Sequence, residues 1–456
     1  MKNYKDYFKN KKVTIIGLGL LGGALNDAKF LLECGADLTI TDLKSAEELK
    51  PSIDKLNKYS KPVKGQAGIK YVLGHHDLAD FKNADFILQP GNVPADSPFL
   101  IEAKKNNIPI HESESLFFEC AEGIKTIGVT GTRGKSTTTA LIYEILKSVF
   151  GKKVHLGGNV KGSSTLSLLK KIKSGDLVVL ELDSWCLHGL GAITKSPNIA
   201  VFTNLMPDHL NYYLKGSKNE AEAMQKYFMD KAQIFANQKS EDYLILDKEI
   251  EKIIEERYKG DIKSRLVLIK DDAEIKTWKL KILGEHNFKH VLRAVAVAKI
   301  LGVDLKAVRR AVENFGGVAG RQEFIRNYKG VKIYNDTTAT TPEATLVALK
   351  ALGDKKKKNT VLIFGGSDKG LDTTELVGEM KKYCKEAFLL DGTGSAKLNI
   401  EAVRCATLKE AVTGAIKKCK KGDTLLFSPA FASFGMFKNE FDRGDKFVKI
   451  IKGLKS

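Results

Sequence analysis

The sequence predicts an α/β protein of three domains, each a mostly parallel sheet flanked by helices. Three observations carry that prediction. Short apolar runs recur along the chain, and segments of helical composition separate them. Two of these runs lead straight into glycine-rich turns, Gly17-Leu18-Gly19-Leu20-Leu21-Gly22 and Gly128-Val129-Thr130-Gly131-Thr132-Arg133-Gly134-Lys135-Ser136. Polar or acidic residues stand at the ends of many runs, where open α/β sheets collect their ligands.

The first domain is expected over residues 1–118. Val13 to Ile16 reads as a strand, the glycine turn follows, and a helical run extends to Cys34-Gly35. A second strand, Asp37 to Thr41, ends at Asp42, twenty residues after Gly22. This is a βαβ opening with the GxGxxG spacing of a Rossmann-like domain. A further strand, Phe86 to Leu88, stops at Gln89-Pro90-Gly91. By itself the glycine spacing fits a dinucleotide site or a plain helix–strand turn equally well. An independent phosphate loop downstream favours a nucleotide-carrying substrate over a redox cofactor, with its diphosphate on the glycine turn and Asp42 at the nucleoside end.

The central domain is expected over 119–316 and opens on that phosphate loop. Ile124 to Val129 supplies a strand, and Thr139 to Phe150 a helix. Gly131 and Gly134 allow backbone N–H groups to converge on an anion, and the helix start adds its partial positive charge. Lys135 reaches for terminal phosphates and Ser136 offers a hydroxyl to Mg²⁺. The spacing is not a strict Walker A, because Val129 stands where the first glycine belongs. Leu177–Leu182 and Ile199–Thr203 are continuous apolar runs, as in strands buried on both faces. Glu181 ends the first of them, as a Mg²⁺ ligand opposite Ser136 or as an exposed strand-end acid; Asp208 lies just beyond the second. Asp183 points to the opposite face if the strand continues. His209 follows Asp208, and a lone histidine there is usually structural or exposed. Lys231 falls in the helical run Asn219–Phe235 and by itself reads as a surface lysine. Asn287 caps a helical segment or meets a base.

The third domain, expected over 317–456 and again Rossmann-like, follows a glycine-rich hinge at Gly316–Gly320. Strands near Val331–Tyr334, Thr360–Phe364, Ala387–Leu390 and Thr424–Phe427 alternate with helices. Asn335–Thr341, Gly365–Gly370, Ser428-Pro429-Ala430 and Ser433 follow strand ends, in position for a ligand or for turn chemistry alone. The basic run Lys417, Lys418, Lys420, Lys421 is expected to end a helix, with Gly422 as its stop.

Composition bounds the function classes. Lys and Arg number 74 against 55 Asp and Glu, a net charge of +19. The lysines are scattered and lack interleaved aromatics, so a solvated basic surface gathering anionic substrates fits better than nucleic-acid binding. The six cysteines are widely spaced, with no metal-ligand rhythm, and are expected to be reduced. Neither a signal peptide nor a membrane span is apparent, and a cytoplasmic location is expected.

The motifs GLGLLGG (17–23), TGTRGKSTT (130–138), ELDS (181–184), TNLMPDHLNYY (203–213), GEHN (284–287), AGRQEF (319–324), YNDTTAT (334–340), GGSDKG (365–370) and SPAFASFGMFKNEFDRG (428–444) together resemble the Mur ligase family over nearly the whole chain. The likeness is greatest to the branch that adds D-glutamate. It implies a UDP-substrate domain, an ATP domain and an amino-acid domain, in that order. The implied activity is ATP-dependent, ADP-forming addition of D-glutamate to UDP-N-acetylmuramoyl-L-alanine through an acyl phosphate, in peptidoglycan precursor synthesis. By the same resemblance the catalytic residues are Lys135, Glu181, His209 and Lys231. Two Mg²⁺ ions are implied, one at Ser136 and Glu181, the other near His209 and Lys231, with Lys231 carbamylated. ATP would contact Gly131, Thr132, Gly134, Lys135, Ser136 and Thr137, with Asn287 at the base, Arg321 at phosphate and Asp336 at ribose. Leu20, Asp42, Gly91 and Asn159 match the UDP-muramoyl site. Lys369 and Ser433 match the holders of the two glutamate carboxylates, and Thr340 lies with them. A monomer without nucleic-acid or membrane partners is implied.

Some residues depart from the family pattern. Thr338 replaces a lysine, His290 an asparagine, and Glu440 an aromatic beside the glutamate; Asp183-Ser184-Trp185 replaces a serine pair and an aromatic. A variant adding L-glutamate or another acidic amino acid therefore stays open, as does a non-catalytic sugar-nucleotide binder. A folylpolyglutamate synthase would lack the GxGxxG domain, and a nicotinamide dehydrogenase fused to an ATPase would bind NADH.

Overall fold

Buried apolar strands define three separate sheets. The computed structural model describes residues 3–19, 22–59, 68–91, 93–94, 96–160 and 164–454. The first sheet holds β1 (Lys12–Ile16), β2 (Asp37–Asp42), β3 (Lys70–Leu73), β4 (Phe86–Leu88) and β5 (Ile110–His111), in the order β3-β2-β1-β4-β5. All its neighbours are parallel. The second holds β6 (Lys125–Thr130), β7 (Val154–Gly158), β8 (Leu177–Glu181), β9 (Ile199–Phe202), β10 (Tyr243–Leu246) and β11 (Arg265–Leu268), in the order β11-β10-β9-β6-β8-β7. It too is wholly parallel. The third holds β12 (Glu323–Tyr328), β13 (Val331–Asn335), β14 (Thr360–Gly365), β15 (Cys384–Leu390), β16 (Val403–Cys405) and β17 (Thr424–Phe427), in the order β12-β13-β17-β14-β15-β16. Only β12 pairs antiparallel, as an edge strand. The α/β class with mostly parallel sheets is borne out.

The chain divides into two compact units. One comprises residues 1–276 and 290–311 and contains the first two sheets; the other comprises 277–289 and 312–456 and contains the third. Within the first unit, Asp27 on the helix Gly23–Glu33 accepts from Ser113 Oγ at 2.9 Å and Ser164 Oγ at 2.5 Å. Those bonds join the helix after the glycine turn to the segment that leads into the second sheet.

In the central sheet β6 lies between β8 and β9, so the turn after β6 meets the ends of both neighbours. That is the switch-point arrangement that places ligands beyond carboxyl strand ends. One correction concerns the basic run: the helix Leu408–Lys418 ends at Cys419, and Lys420–Gly422 form the turn into β17. Gly422 supplies the turn's positive φ of 94° rather than the helix stop. All six cysteines are free. Among the described residues no helix is long and apolar enough to cross a membrane.

A buried ion pair fastens the helix Glu285–Ile300 to the sheet. Arg293 is 1% exposed, and its Nη2 donates to the Thr203 carbonyl at 2.6 Å and to Asp247 Oδ2 at 2.8 Å. Removing one member leaves an uncompensated buried charge. Arg293→Met is expected to lower the unfolding free energy by about 3–5 kcal/mol, measured by urea titration. A loss within error of zero would show that the pair is not closed in solution.

Candidate active site

The turn after β6 is built around two glycines that no other residue can replace without displacement. Gly131 has φ 138° and Gly134 φ 80°. A Cβ on Gly131 would fall 2.0 Å from Thr203 Oγ1, and one on Gly134 would fall 2.1 Å from His290 Cε1. The helix Lys135–Phe150 starts immediately afterwards, with Ser136 and Thr137 in its first turn. The segment after β9 grips this loop from the side. Thr203 Oγ1 donates to the carbonyls of Thr130 and Arg133, at 3.0 and 2.7 Å. Asn204 Oδ1 accepts from Arg133 N–H at 2.8 Å, and Thr132 N–H donates to the Asn204 carbonyl at 2.9 Å. Thr132 Oγ1 accepts from Met206 N–H at 2.9 Å. Thr203 and Asn204 hold the loop in place, a part that residue-by-residue reasoning does not give them. Two side chains with backbone-bonding capacity, directly at a strand end, are the signal that points to them.

Charge is concentrated around the Gly131 carbonyl. Lys135 Nζ donates to it at 3.0 Å and to the Thr132 carbonyl at 3.1 Å. Lys231, on the helix Glu220–Ala236, donates to the same oxygen at 3.0 Å. Lys231 is 1% exposed, which overturns its reading as a surface lysine. Burial, with the neighbouring Lys135 charge added, pushes its amine down to about 7. Ser136 Oγ donates to Glu181 Oε1 at 2.9 Å, and Glu181 is buried, not an exposed strand-end acid. Strand β8 ends at Glu181, so Asp183 does not occupy the opposite strand face. It caps the helix Ser184–Ala192, accepting from Cys186 N–H at 2.8 Å, and also accepts from Asn159 Nδ2 at 3.1 Å. His209 adopts φ 55°, and its ring centroid lies 4.7 Å from that of Trp185. Burial is the main reason its imidazole titrates below the usual range, with the Lys135 and Lys231 charges adding to it.

The remaining predicted residues of this unit lie on the glycine turn and near Trp185. Asp42 is buried and ties the turn together, accepting from Gly19 N–H at 3.2 Å and Lys44 N–H at 2.9 Å. Leu20 lies outside the described residues. Gly91 packs against Trp185, where a Cβ would fall 2.2 Å from that side chain's Cβ. Asn159 N–H donates to the Glu181 carbonyl at 2.7 Å. His290, the departure from the family asparagine, packs on Gly134, and its Nδ1 lies 3.0 Å from Thr138 Oγ1.

The second unit carries the other predicted positions. Asn287 does not cap its helix: it lies inside the first turn, and its Nδ2 donates back to the Leu283 carbonyl at 2.7 Å. Arg321 is exposed. Asp336 is buried, accepting from Gln322 N–H at 3.0 Å and Ser428 Oγ at 2.7 Å, and burial pushes its carboxyl up to about 7. Lys369 Nζ donates to Thr340 Oγ1 at 3.1 Å. Ser433 is buried and close in sequence to Ala430 and Phe431, which line a small pocket with Thr340 and Lys369. Thr338, in place of a lysine, turns its hydroxyl to the Gly320 carbonyl at 2.9 Å. Arg443 is a position the sequence does not single out: fully buried, it donates to the carbonyls of Thr337 and Phe431, at 2.8 and 3.1 Å.

Comparison with known proteins gives consistent matches. Residues 129–276 match the Mur ligase middle domain and residues 320–431 the Mur ligase glutamate ligase domain. The chain is 35% identical to a UDP-N-acetylmuramoylalanine–D-glutamate ligase of Borreliella burgdorferi, over 98% of this chain and 99% of that one. It is 33% identical to the enzyme of that name from Streptococcus mutans, over the whole of both chains. Among solved structures, a UDP-N-acetylmuramate–alanine ligase from Thermotoga maritima superimposes with a TM-score of 0.60 at 20% identity, covering 98% of this chain and 100% of that one. A MurF ligase from the same organism, solved with ADP, gives 0.58 at 15% identity, covering 98% and 96%.

The buried Lys231 amine has a thermodynamic signature. Its folded pKa is about 7 and the unfolded value about 10.4, so the unfolded chain binds more protons between those limits. Stability therefore rises with pH across that window, with a slope of at most about 1.4 kcal/mol per pH unit. Lys231→Met is expected to flatten this rise and to be more stable than the parent at pH 7, measured by urea midpoints from pH 7 to 9.5. Parallel profiles for parent and variant would mean the amine is solvated.

Proposed function

The chain belongs to the Mur ligase family of ATP-using ligases, and from that premise we propose that it joins D-glutamate to UDP-N-acetylmuramoyl-L-alanine in the cytoplasm. The observation that carries the chemistry is the convergence of Lys135 and Lys231 on the Gly131 carbonyl, beside the Ser136–Glu181 pair. The observation that carries the choice of substrates is full-length likeness to enzymes named for that reaction.

The residues present fit ATP. The glycine cradle leaves no room for a Cβ, so backbone N–H groups at the helix start are open to phosphate oxygens. Lys135 supplies a cation that exchanges two carbonyl partners for phosphate, and Asn287, Arg321 and Asp336 are assigned to base, phosphate and ribose. In the reaction, an oxygen of the alanyl carboxylate attacks the γ-phosphorus and ADP leaves, giving an acyl phosphate. The glutamate amine then attacks the acyl carbon, the nitrogen loses a proton, and inorganic phosphate departs. Lys135 and the backbone N–H groups at the helix start stabilise the charge that gathers on the transferring phosphoryl oxygens.

The donor set also fits Mg²⁺. Among the described residues no three His, Cys, Asp or Glu side chains form a metal cluster, so phosphate oxygens must complete the shell, as is usual for this ion. Ser136 and Glu181 would hold one ion; His209 and a modified Lys231 would hold the second. Bound there, Mg²⁺ neutralises phosphate charge and polarises the phosphorus. A lysine amine with a pKa lowered to about 7 is neutral in a substantial fraction at neutral pH, and that fraction is nucleophilic toward CO₂. Adding CO₂ and losing a proton converts Lys231 to a carbamate anion, which removes the repulsion from Lys135.

Lys369, Ser433 and Thr340 are assigned to the glutamate, and Leu20, Asp42, Gly91 and Asn159 to the UDP-sugar substrate. A second reading, addition of L-glutamate or another acidic amino acid, rests on Glu440. Its carbonyl accepts from Thr337 Oγ1 at 2.8 Å, which puts this acidic residue next to the loop that Arg443 anchors. Phosphate release from ATP with UDP-N-acetylmuramoyl-L-alanine separates the readings. Release with D-glutamate and at least tenfold less with L-glutamate is the expected result. Release with L-glutamate alone selects the second reading, and silence with both overturns the ligase assignment.

A further inference from the structure

The small pocket of the second unit is bounded by Thr340 after β13, Lys369 after β14, and Ala430 and Phe431 after β17. Arg443 does not line it, yet two of the bounding loops hang on that side chain. Asn439 caps the helix Glu440–Lys452, accepting from Phe441 and Asp442 N–H at 3.0 and 2.9 Å. The cap fixes the helix start, and Arg443 follows in its first full turn, wholly buried. Its Nη2 donates to the Thr337 carbonyl at 2.8 Å, its Nε to Thr337 Oγ1 at 3.3 Å and its Nη1 to the Phe431 carbonyl at 3.1 Å. All three acceptors are uncharged oxygens of the two loops. Burial pulls the guanidinium down to about 10, opposed by the Glu440 charge, so a cation is kept out of water at a cost. Nearer the pocket the same loops meet once more, where Ala430 N–H donates to the Ala339 carbonyl at 2.9 Å. Two points of attachment fix the angle between the loops as well as their distance.

We propose that Arg443 is a positioning residue for the incoming amino acid: by holding the Thr337 and Phe431 carbonyls it sets the separation of Thr340 and Ser433, and so the grip on the glutamate carboxylates. This rests on the ligase reading, which assigns Thr340, Lys369 and Ser433 to glutamate. A guanidinium presents its N–H groups in one rigid plane and spans two carbonyls, whereas a lysine ammonium is a point charge on a flexible stem. The nucleotide side of the same loop is held by other groups. Asp336 N–H donates to the Phe427 carbonyl at 2.7 Å, and its carboxylate accepts from Gln322 N–H and Ser428 Oγ. None of these bonds involves Arg443, so its replacement disturbs the amino-acid side and spares the ATP side. Gly444 offers a second way to move the same loop. A Cβ there would fall 2.5 Å from Thr337 Cγ2, pressing Thr337 away with Arg443 intact.

The test is steady-state phosphate release from ATP with UDP-N-acetylmuramoyl-L-alanine and whichever glutamate enantiomer the parent uses. Arg443→Lys is expected to raise the KM for glutamate at least tenfold and to leave the KM for ATP within threefold. Gly444→Ala should show the same split, and it carries the test if Arg443→Lys does not fold, as melting temperatures will show. A purely structural role would lower the active fraction, hence kcat, and leave both KM values alone. With an active parent, an unchanged KM for glutamate in the folded variants, or an equal rise in both KM values, overturns this inference and leaves the ligase reading standing. A parent that releases no phosphate with either enantiomer overturns the ligase reading and the inference together.

Discussion

The carbonyl oxygen of Gly131 is the point on which the central site depends. Two lysines from different helices donate to it, both at 3.0 Å. The same glycine has no Cβ, and Thr203 Oγ1 occupies the place a Cβ would take. One residue therefore sets the loop's path, the distance to β9 and the approach of both amines. Nothing larger than glycine permits all three, because the φ of 138° and the contact with Thr203 are each prohibitive for a side chain.

The burial of Lys231 follows from that arrangement. An amine taken out of water and set beside a second lysine loses its proton readily, and the protein accepts this because the neutral form still donates to Gly131. Glu181 is handled differently: its Oε1 accepts from Ser136 Oγ, while its backbone carbonyl accepts from Asn159. The buried Arg293 reaches the same region from behind, holding the Thr203 carbonyl that closes β9. The helix, the phosphate loop and the strand end are thus coupled through short polar contacts rather than through apolar packing alone.

Much of this is legible in the sequence. The strands that bound the phosphate loop are continuous apolar runs, and Gly131, Gly134, Lys135 and Ser136 follow one of them in an order that few other chemistries use. The strands β3, β5, β7, β10, β11, β12 and β16 do not stand out. Several are short or partly exposed, as Arg265–Leu268 shows, so their periodicity is weak. Lys231 does not read as buried from its helix alone, because burial comes from the Gly131 carbonyl a hundred residues away in sequence. Asn287 is legible as a helix-start residue, but its side chain bonds a carbonyl rather than capping. Asp183 is misplaced by the strand pattern because nothing in Leu180-Glu181-Leu182 announces that β8 stops at Glu181. Arg293 and Arg443 are among the largest fully buried side chains, yet Arg293 carries no sequence signal and Arg443 stands in the 428–444 motif without an assigned part, since arginine is ordinarily a surface residue.

The central proposal is that Lys231, a buried amine with its pKa lowered to about 7, takes up CO₂. Carbon-13 NMR of the protein equilibrated with ¹³C-bicarbonate tests this directly. The account predicts a slowly exchanging carbamate carbonyl signal from the parent protein that is absent from Lys231→Met. A spectrum in which parent and variant are the same, with no protein-bound carbonyl signal at saturating bicarbonate, would contradict it.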